Sequence, residues 1–333
     1  MEDDRDNPDV MHTTSTLSKK DLLGAFKARW GVRDNYKVEP GLYALGKPGC
    51  ESPVFVSANY KLTFDALRKN LGGINCWILI LDTKGINVWC AAGKGTFGTD
   101  ELVERVWAAG LSGRVTHRAL ILPQLGATGV SAHEVKRRTG FDVFYGPVRA
   151  RDIKAYLASG YKASKEMRTV SFNLADRVVL IPMELVPAVK IAAPAALAML
   201  AANLIISKPF DKRDFAALAG SVFAGSVMVP VLLPLIPGRA FAWKGWLAGL
   251  VCTTWANGVS KGFEKGNRLL SAGRLLLFPA VSSYLAMNFT GATTYTSPSG
   301  VRKEMRKALP FITVAAAAGL AITLGAHLTK RRG

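Results

Sequence analysis

The sequence predicts an α/β domain followed by an all-α polytopic membrane domain of five transmembrane helices. From about Leu17 to Lys165, short apolar runs of strand type alternate with amphipathic, charged helical stretches. Beyond Leu180, the apolar runs are too continuous for a soluble core, and short connections that carry Lys and Arg separate them. These two patterns exclude a purely soluble enzyme.

The charge distribution changes along the chain in the same way. Up to Arg177 the chain holds 26 basic and 19 acidic residues, a net charge of +7, whereas the following 156 residues hold 17 basic and 5 acidic residues, a net charge of +12. In a soluble protein this surplus would suggest nucleic acid binding, but here the basic residues flank apolar spans. Membrane lipid is therefore the expected partner, and nucleic acid is excluded.

Strands and helices are expected to alternate in the first domain, at residues 17–165. Thr99 is the expected N-cap of the second helix, with Asp100 and Glu101 in its first turn. The strand candidates are Val54 to Ser57, Ile74 to Leu81, Ile86 to Cys90, Arg118 to Leu122 and Phe141 to Tyr145, and the helix candidates are Leu62 to Leu71, Asp100 to Ala109, Ala132 to Arg138 and Ala150 to Ala158.

The flanking segments predict how the chain sits in the cell. Residues 1–16 are acidic, contain no apolar stretch that could serve as a signal sequence, and are expected to form a disordered tail. A large folded domain without a signal sequence normally stays in the cytoplasm, so we expect a multi-pass protein of the cytoplasmic (inner) membrane with this domain inside. Counts of Lys and Arg in the loops do not decide the orientation.

A linker at residues 166–179 is expected to lead into the membrane domain, residues 180–333. Each predicted span is long enough to cross a bilayer, and an odd number of crossings places the two ends on opposite sides. Prolines within the first two spans favour kinked helices packed on each other. The five spans are roughly Leu180 to Ile206, Phe215 to Ile236, Phe241 to Val259, Leu275 to Thr293 and Phe311 to Leu328.

The cysteines give little sign of an intrinsic metal cluster. The chain has four, Cys50, Cys76, Cys90 and Cys252, and no two are spaced as a CxxC pair. An intrinsic zinc or iron–sulfur site is therefore not expected, and any cluster must come from a partner.

The segment from Gly85 to Thr99 is the most informative part of the chain. Small residues and glycines after a strand let the backbone approach a flat or bulky ligand, and a following helix N-terminus adds N–H donors. We interpret it as a cofactor loop with one thiol, Cys90, at its rim. On residue chemistry alone, Cys90 beside Trp89 would instead be a buried structural cysteine.

Residues 87–94 read Asn-Val-Trp-Cys-Ala-Ala-Gly-Lys, which resembles the motif of the HgcA family, the membrane corrinoid proteins of microbial mercury methylation. The resemblance covers essentially the whole architecture. The first domain is also similar to the corrinoid-binding domain of the large subunit of the corrinoid iron–sulfur protein, through the Asp82 to Gly85 turn, the Ala-Ala-Gly-Lys loop and the segment from His117 to Gly126. This chain lacks the four-cysteine iron–sulfur module of that subunit.

The resemblance implies a Rossmann-like corrinoid-binding domain and assigns roles to particular residues. Cys90 would be the catalytic residue and the metal ligand, bound to the corrinoid cobalt as its lower axial ligand in a cap-helix region beneath the ring. Lys94 would lower the pKa of the thiol or be a solvated loop residue. The implied cofactor-binding residues are Asn87, Val88, Trp89, Cys90, Ala91, Ala92, Gly93, Lys94 and Thr96, with Gly126, Thr128, Gly129 and Gly146 along the ring edge or tail or, alternatively, in ordinary connecting loops.

The activity implied by the resemblance is a corrinoid-dependent methyltransferase that passes a methyl group from methyl-cobalt to Hg(II). Because Hg(II) is an electrophile, the methyl group must leave as a carbanion or a radical, and a thiolate opposite it would stabilise the oxidised cobalt. The implied partners are an HgcB-type ferredoxin with [4Fe–4S] clusters, which reduces cobalt and passes Hg(II), and a folate-type methyl donor or its protein intermediary.

Two alternatives stay open at the level of sequence. The protein could be a membrane-bound corrinoid methyl carrier whose physiological acceptor is not mercury. It could also belong to a different class, a transporter with a cytoplasmic regulatory domain, in which the helices carry the substrate.

Overall fold

The computed structural model describes residues 10–32, 35–205, 210–258 and 268–330. The chain divides into two compact units, with the change near Val170 and Ser171, and residues 29–31 grouped with the second unit. The first unit is a mixed α/β domain and the second is helical. Each is described by itself below.

The α/β unit is built on one six-stranded sheet in the order β1-β2-β4-β3-β5-β6. Strands β3 to β6 are parallel to one another, whereas β2 runs antiparallel to β4. The elements are β1 Val10–Thr13, α1 Lys19–Arg29, β2 Gly41–Leu45, β3 Val54–Ala58, α2 Lys61–Asn70, β4 Cys76–Leu81, α3 Val88–Lys94, α4 Thr99–Ala108, α5 Leu111–Arg114, β5 Ala119–Leu122, α6 Ala132–Thr139, β6 Asp142–Tyr145 and α7 Ile153–Ala158, with short 3-10 turns at Gln124–Gly126 and Ala150–Asp152.

The order of the parallel strands creates a switch point in the sheet. The chain passes from β3 to β4 on one side and then crosses to β5 on the other side of β3. In open α/β sheets, ligands bind outside the carboxyl ends of the strands at such a point. All residues of β3 and β4 are buried, as expected for strands covered on both faces.

Most predicted elements of this unit are confirmed within one or two residues, and one is wrong. Four of the five predicted strands are present as β3, β4, β5 and β6, and helices occupy the four predicted positions. The predicted strand at Ile86 to Cys90 is instead the start of helix α3. Val88 and Trp89 have strand propensity, but the cap at Asn87 and the following alanines favour a helix.

Two further predictions are corrected at the ends of elements. Thr99 is the first residue of α4, and the N-cap is Gly98, while Asp100 and Glu101 lie in the first turn as predicted. The predicted disordered tail contains β1, whose residues pair in parallel with β2 from Val10 opposite Leu42 to Thr13 opposite Leu45. Pairing with an existing sheet edge supplies the hydrogen bonds that an isolated polar segment would lack. Residues 1–9 lie outside the described residues.

The helical unit contains four helices that are long and apolar enough to cross a membrane, among the residues described. They are Leu174–Ile205, Lys212–Leu232, Arg268–Ala292 and Ser299–Ala326. The first begins inside the predicted linker. The third predicted span, Phe241 to Val259, forms a helix over Phe241–Gly258, but it is not one of the four. Lys244 and Asn257 within it lower its hydropathy, and the fifth crossing stays a prediction.

In chain order the helices of this unit are α8 Leu174–Ile205, α9 Lys212–Phe223, α10 Val229–Leu232, α11 Phe241–Gly258, α12 Arg268–Asn288 and α13 Pro298–Lys330, with a π-helical turn at Ala224–Met228 and a 3-10 turn at Phe289–Ala292. Prolines 182, 187 and 194 lie inside α8, which continues through them.

Glycines allow the helices of this unit to approach each other closely. A side chain at Gly249 would come within 2.8 Å of the Pro279 backbone, and one at Gly319 within 2.5 Å of the Leu277 backbone nitrogen. Gly245 and Gly249 form a small-xxx-small pair on α11, a pattern typical of helix contacts in membranes. Ser282 also donates a hydrogen bond to the Gly245 carbonyl over 2.8 Å, so α12 is joined to α11 by both packing and polar contacts.

Candidate functional site

Helix α3, which carries the predicted thiol, begins with a side-chain cap. Asn87 has an extended backbone, and its Oδ1 accepts a hydrogen bond from the Cys90 backbone N–H at 2.9 Å. Asparagine is among the preferred N-cap residues because it satisfies one of the free N–H groups of the first turn. The cap thereby fixes the backbone of the residue that carries the thiol.

The turn before α3 is held by Asn59, a residue that the sequence reasoning missed. Asn59 is 1% exposed, and its Oδ1 accepts hydrogen bonds from the Thr83 backbone and hydroxyl and from the Gly85 N–H, at 2.9–3.2 Å. Its amide donates to Asp82 at 3.2 Å. Lys84 and Gly85 both have positive φ, which makes the turn tight. The sequence signal that could have identified Asn59 is its position as a polar residue directly after the buried strand β3.

The two faces of α3 have opposite environments. Val88, Ala91 and Ala92 are buried in the core of the α/β unit. Cys90 is exposed, and Trp89 keeps 39% of its surface accessible. The expectation of a buried structural cysteine is therefore wrong, because the helix directs its alanine face, and not the thiol, into the core.

A tight packing arrangement supports the buried face of α3. Gly95 ends the helix in the left-handed region with a φ of 83°. The side chain of Phe97 is fully buried, and a Cβ at Gly126 would lie 2.5 Å from its ring. A Cβ at Gly129 would lie 2.1 Å from the Phe97 carbonyl oxygen and 3.0 Å from the Cα of Ala92. Both glycines are therefore required by close approach to the segment that carries α3.

A cavity lies at the carboxyl ends of the parallel strands, beside the first residue of α3. Its volume is about 280 Å³, and it coincides with the switch point between β3 and β5. Ser57 and Thr63 supply its polar side chains, and the rest of its lining is apolar. The lining residues are Phe55, Val56, Ser57, Leu62, Thr63, Ala66, Leu67, Val88, Ile121, Leu122, Pro123, Gly146, Pro147, Val148, Ala150 and Ile153.

The structure brings some of the predicted site residues together at this cavity and places others elsewhere. Val88 and Gly146 line it. Gly126 and Gly129 pack against the α3 segment instead, and Thr128 is exposed. Thr96 donates to the Ala91 carbonyl at 3.5 Å. Gly93 and Lys94 are exposed in the last turn of α3.

Charges near the site lie on the turn before α3. Lys84 donates a hydrogen bond to Asp82 and holds the pKa of that carboxyl below its usual value. Asp82 also anchors α4, because its backbone N–H donates to Glu101 at 2.7 Å. By contrast, burial raises the pKa of the Cys76 thiol to about 12, so Cys76 is held as a neutral thiol inside β4.

An exposed thiol and an apolar cavity on the two sides of one helix offer two kinds of chemistry. A sulfur ligand favours soft metal ions and can donate electron density to them. An apolar cavity with few polar groups holds a flat organic group by burial. Among the residues described, no cluster of three or more His, Cys, Asp or Glu side chains is placed to hold a metal ion by itself.

Comparison with known proteins places the similarity in the α/β unit. Residues 18–157 match the family model described as the CO dehydrogenase/acetyl-CoA synthase delta subunit. The gamma subunit of the acetyl-CoA decarbonylase/synthase complex from Archaeoglobus fulgidus is 34% identical over 131 residues, which are 39% of this chain and 27% of that protein. The gamma subunit from Methanopyrus kandleri is 32% identical over 127 residues, 38% of this chain and 27% of that protein. The chain thus spans about a quarter of the length of the curated relatives it matches.

Proposed function

We propose that this chain is a membrane-bound corrinoid-dependent methyltransferase that passes a methyl group to Hg(II), with Cys90 as the lower axial ligand of the corrinoid cobalt. One observation carries the proposal. The thiol of Cys90 is exposed on a capped helix, and Val88, two residues earlier in the same helix, lines the cavity at the switch point of the sheet. The similarity of residues 18–157 to subunits of acetyl-CoA synthase complexes supports a role in methyl transfer.

The residues present fit a corrinoid. The apolar cavity between α2 and the carboxyl ends of β3 and β5 suits the nucleotide tail, and the exposed side of α3 suits the ring. The ring of Tyr156 packs against Gly146, which lines the cavity, and its buried hydroxyl has no hydrogen-bond partner among the residues described, so one polar group behind the cavity wall is unsatisfied. When bound, the corrinoid supplies the cobalt–carbon chemistry of the transfer.

The chain's own residues would hold the ligand and prepare the sulfur. Asn87, Trp89, Cys90, Gly93, Lys94 and Thr96 would contact the ring, and Val88 and Gly146 the tail. Ala91 and Ala92 would support α3 from the core, where Gly126 and Gly129 keep the segment in place. The Asn87 cap fixes the backbone of Cys90, so the sulfur is positioned before the ligand arrives. As a thiolate, Cys90 would hold the cobalt as an electron-donating ligand, which suits a corrinoid that supplies a methyl group to the electrophile Hg(II).

Partners must supply what the chain lacks. Reduction of cobalt between turnovers needs low-potential electrons, and the cysteines of this sequence are not spaced for a cluster. We propose that an HgcB-type ferredoxin with [4Fe–4S] clusters provides them and delivers Hg(II). We propose that a folate-type methyl donor or its protein intermediary supplies the methyl group. We propose that the α/β unit lies on the cytoplasmic side of the inner membrane.

The test is a comparison of the full chain with Cys90→Ala and Cys50→Ala variants, each reconstituted with a corrinoid. Cys50 is a matched control because it is also exposed but precedes the amino end of β3, whereas the cavity lies at the carboxyl ends of the parallel strands. We expect a Co–S signal in cobalt-edge X-ray absorption for the wild type and Cys50→Ala, and its absence in Cys90→Ala. An unchanged cobalt environment in Cys90→Ala would contradict the ligand assignment.

The acceptor needs a separate measurement. Protein loaded with a methylated corrinoid is mixed with Hg(II) or with a thiol acceptor, and methylmercury and methyl thioether are quantified. Methyl transfer to Hg(II) that is lost in Cys90→Ala and kept in Cys50→Ala supports the proposed reaction. Transfer to the thiol alone would favour a methyl carrier with another acceptor, since a thiol takes a methyl cation equivalent and Hg(II) does not.

A further inference from the structure

A wide groove in the helical unit opens between α11, α12 and α13. Its volume is about 1190 Å³. Pockets for drug-sized ligands are roughly 300–1,000 Å³, so this groove is large enough for an extended amphiphile. Two of these helices, α12 and α13, are apolar enough to cross a membrane, and the function proposed above does not use the groove.

One end of the groove is basic. Arg239, from the loop before α11, and Lys303 and Lys307, in the first turns of α13, line this end and are exposed. Glu304 is the acidic residue of the lining, and its Oε1 accepts a hydrogen bond from the Ala242 backbone N–H at 2.7 Å. That carboxylate is held at the start of α11, and the three cations outnumber it, so this end of the groove keeps a net positive charge toward an anionic group at the mouth.

The rest of the groove is apolar. Along α13, the lining side chains after Lys307 are spaced as one helix face and include Phe311, Val314 and Ala318. Phe311 and Val314 are 78% and 68% exposed, so this face is open to the surroundings of the helices. The helix rises about 16 Å from Lys307 to Ala318, which is about half the thickness of a bilayer's hydrocarbon core.

Two tryptophans lie at the level of the basic end. Trp243 and Trp246 from the first turns of α11 line the groove, and Trp243 is 51% exposed. Tryptophan is enriched where membrane helices pass from headgroups to hydrocarbon. The groove therefore changes from cationic to aromatic to apolar in the order in which a phospholipid changes from headgroup to acyl chain.

We propose that this groove binds one anionic diacyl phospholipid. The phosphate of the headgroup lies among Arg239, Lys303 and Lys307, and an acyl chain extends along α13 from Phe311 to Ala318. The complementary charge at one end and the apolar length of one leaflet at the other select this ligand over a zwitterionic lipid or a free phosphate. The inference stands independently of the reaction proposed for the α/β unit.

The test uses the purified full chain in detergent and native mass spectrometry. Phosphatidylglycerol and phosphatidylcholine with identical acyl chains are added separately, and retained lipid is quantified for the wild type, Lys303→Gln/Lys307→Gln and Arg306→Gln. Arg306 is the matched control because it is an exposed cation of the same helix turns that does not line the groove. Each basic residue near a membrane surface gives roughly a fivefold preference for anionic lipid.

We expect the double substitution to lower phosphatidylglycerol retention about 30-fold, which leaves a roughly fivefold preference over phosphatidylcholine from Arg239, and Arg306→Gln to leave it within about twofold of the wild type. Equal retention of the two lipids by the wild type would overturn the proposal. So would an equal loss in Arg306→Gln, because binding would then depend on general charge. Displacement of the lipid by millimolar inorganic phosphate would identify a phosphate site instead.

A second pair of variants tests the acyl part of the groove. Ala318→Phe places a ring in the lining, whereas Ala317→Phe places it on the neighbouring exposed position outside the groove. Ala318→Phe is expected to lower retention of phosphatidylglycerol at least tenfold with all three cations present, and Ala317→Phe to leave it unchanged. Full retention in Ala318→Phe would contradict the placement of the acyl chain. Circular dichroism of each variant checks that the helices are intact.

Discussion

The Asn87 side chain determines how firmly the Cys90 backbone is held. It supplies the acceptor for the Cys90 N–H, and α3 has only the seven residues Val88–Lys94 over which to compensate for a lost cap. A short helix depends on its ends, because the first N–H groups have no partner within the helix. The residue that prepares the thiol is therefore the one three positions before it, and its contribution can be measured.

Replacing Asn87 with Ala is expected to lower the stability of the α3 segment by about 1 kcal/mol, the usual cost of losing an N-cap. Hydrogen exchange of the amides in residues 88–94, measured by mass spectrometry on the full chain, reports this locally. Asn87→Asp keeps an acceptor oxygen and should exchange like the wild type. Equal exchange in Asn87→Ala and the wild type would mean that packing alone holds α3.

The cysteines of the α/β unit are expected to differ in reactivity. Cys50 and Cys90 are exposed, whereas Cys76 is buried in β4 with a pKa raised to about 12. The thiolate is the reactive form, and at pH 8 Cys76 is almost entirely protonated as well as inaccessible. Alkylation of the full chain at pH 8, mapped by peptide mass spectrometry, should modify Cys50 and Cys90 and spare Cys76 until the protein is unfolded.

The same labelling measures whether a corrinoid reaches Cys90. If Cys90 binds cobalt, prior addition of corrinoid should slow the alkylation of Cys90. The rate at Cys50 should stay unchanged, since Cys50 precedes the amino end of β3 and the cavity lies at the carboxyl ends of the strands. Fast labelling of both residues with corrinoid bound would separate corrinoid binding from thiol ligation.

At the level of contacts between elements, two glycines of the site differ in the space around them. A Cβ at Gly129 would approach the backbone of Phe97 to 2.1 Å, whereas one at Gly93 would have no atom within 4 Å. Gly129→Ala should therefore force the loop away from α3 and destabilise the unit by about 3 kcal/mol. Gly93→Ala should stabilise α3 by roughly 0.5–1 kcal/mol, because alanine favours the helical backbone.

Thermal unfolding of the full chain in detergent compares the two variants, and corrinoid binding adds a second measurement. A stable Gly93→Ala protein that no longer binds corrinoid would mean that the ligand approaches the backbone at Gly93. An unfolding temperature for Gly129→Ala equal to that of the wild type would contradict the packing role of that glycine.

The sequence predicts elements of this protein better than it predicts contacts. Strands β3 to β6 have continuous or alternating apolar patterns and lie where expected. The strand predicted at Ile86 to Cys90 is wrong because local propensity favoured it, while the Asn87 cap and the Gly95 C-cap marked a helix. Asn59 was not predicted at all. Its role depends on a turn 24 residues away, and no local pattern encodes such a contact.

In the candidate site, too, the sequence predicted the element but not its contacts. The motif at residues 87–94 drew attention to α3, and its exposed thiol agrees with a cofactor loop. The roles of Gly126 and Gly129 could not be read from their loop, because glycine serves equally in a ligand contact and in close packing. Only the distance to Phe97 distinguishes these two uses.

At the scale of the whole molecule, the open question is whether α11 crosses the membrane. Within the part of the chain that the structure describes, four helices meet the length and hydropathy of a span, and α11, with Lys244 and Asn257 buried in it, does not. Lys244 donates hydrogen bonds to the carbonyls of Leu233 and Ile236 at the end of the preceding helix, so its charge is held close to one end of α11. A helix with its polar groups near its two ends can still cross a bilayer whose middle meets the apolar part.

We predict that α11 crosses, because its first turn lines the same groove as the first turns of α13. This arrangement places the loop before α11 and the loop before α13 on one side of the membrane. Three crossings then separate Lys212, the first residue of α9, from Thr294, before α13, and the two positions face opposite compartments. Without a crossing by α11, only two crossings would separate them, and both would face the same compartment.

Single cysteines at these positions decide between the two arrangements. Lys212→Cys and Thr294→Cys, both at exposed positions, are placed in a full chain whose native Cys50, Cys76, Cys90 and Cys252 are replaced by Ala. A membrane-impermeant maleimide is applied to spheroplasts and to inverted vesicles. We expect Lys212→Cys to react in spheroplasts and Thr294→Cys in inverted vesicles, with the α/β unit inside. Labelling of both from the same side would show that α11 does not cross, and would give a membrane domain of four spans.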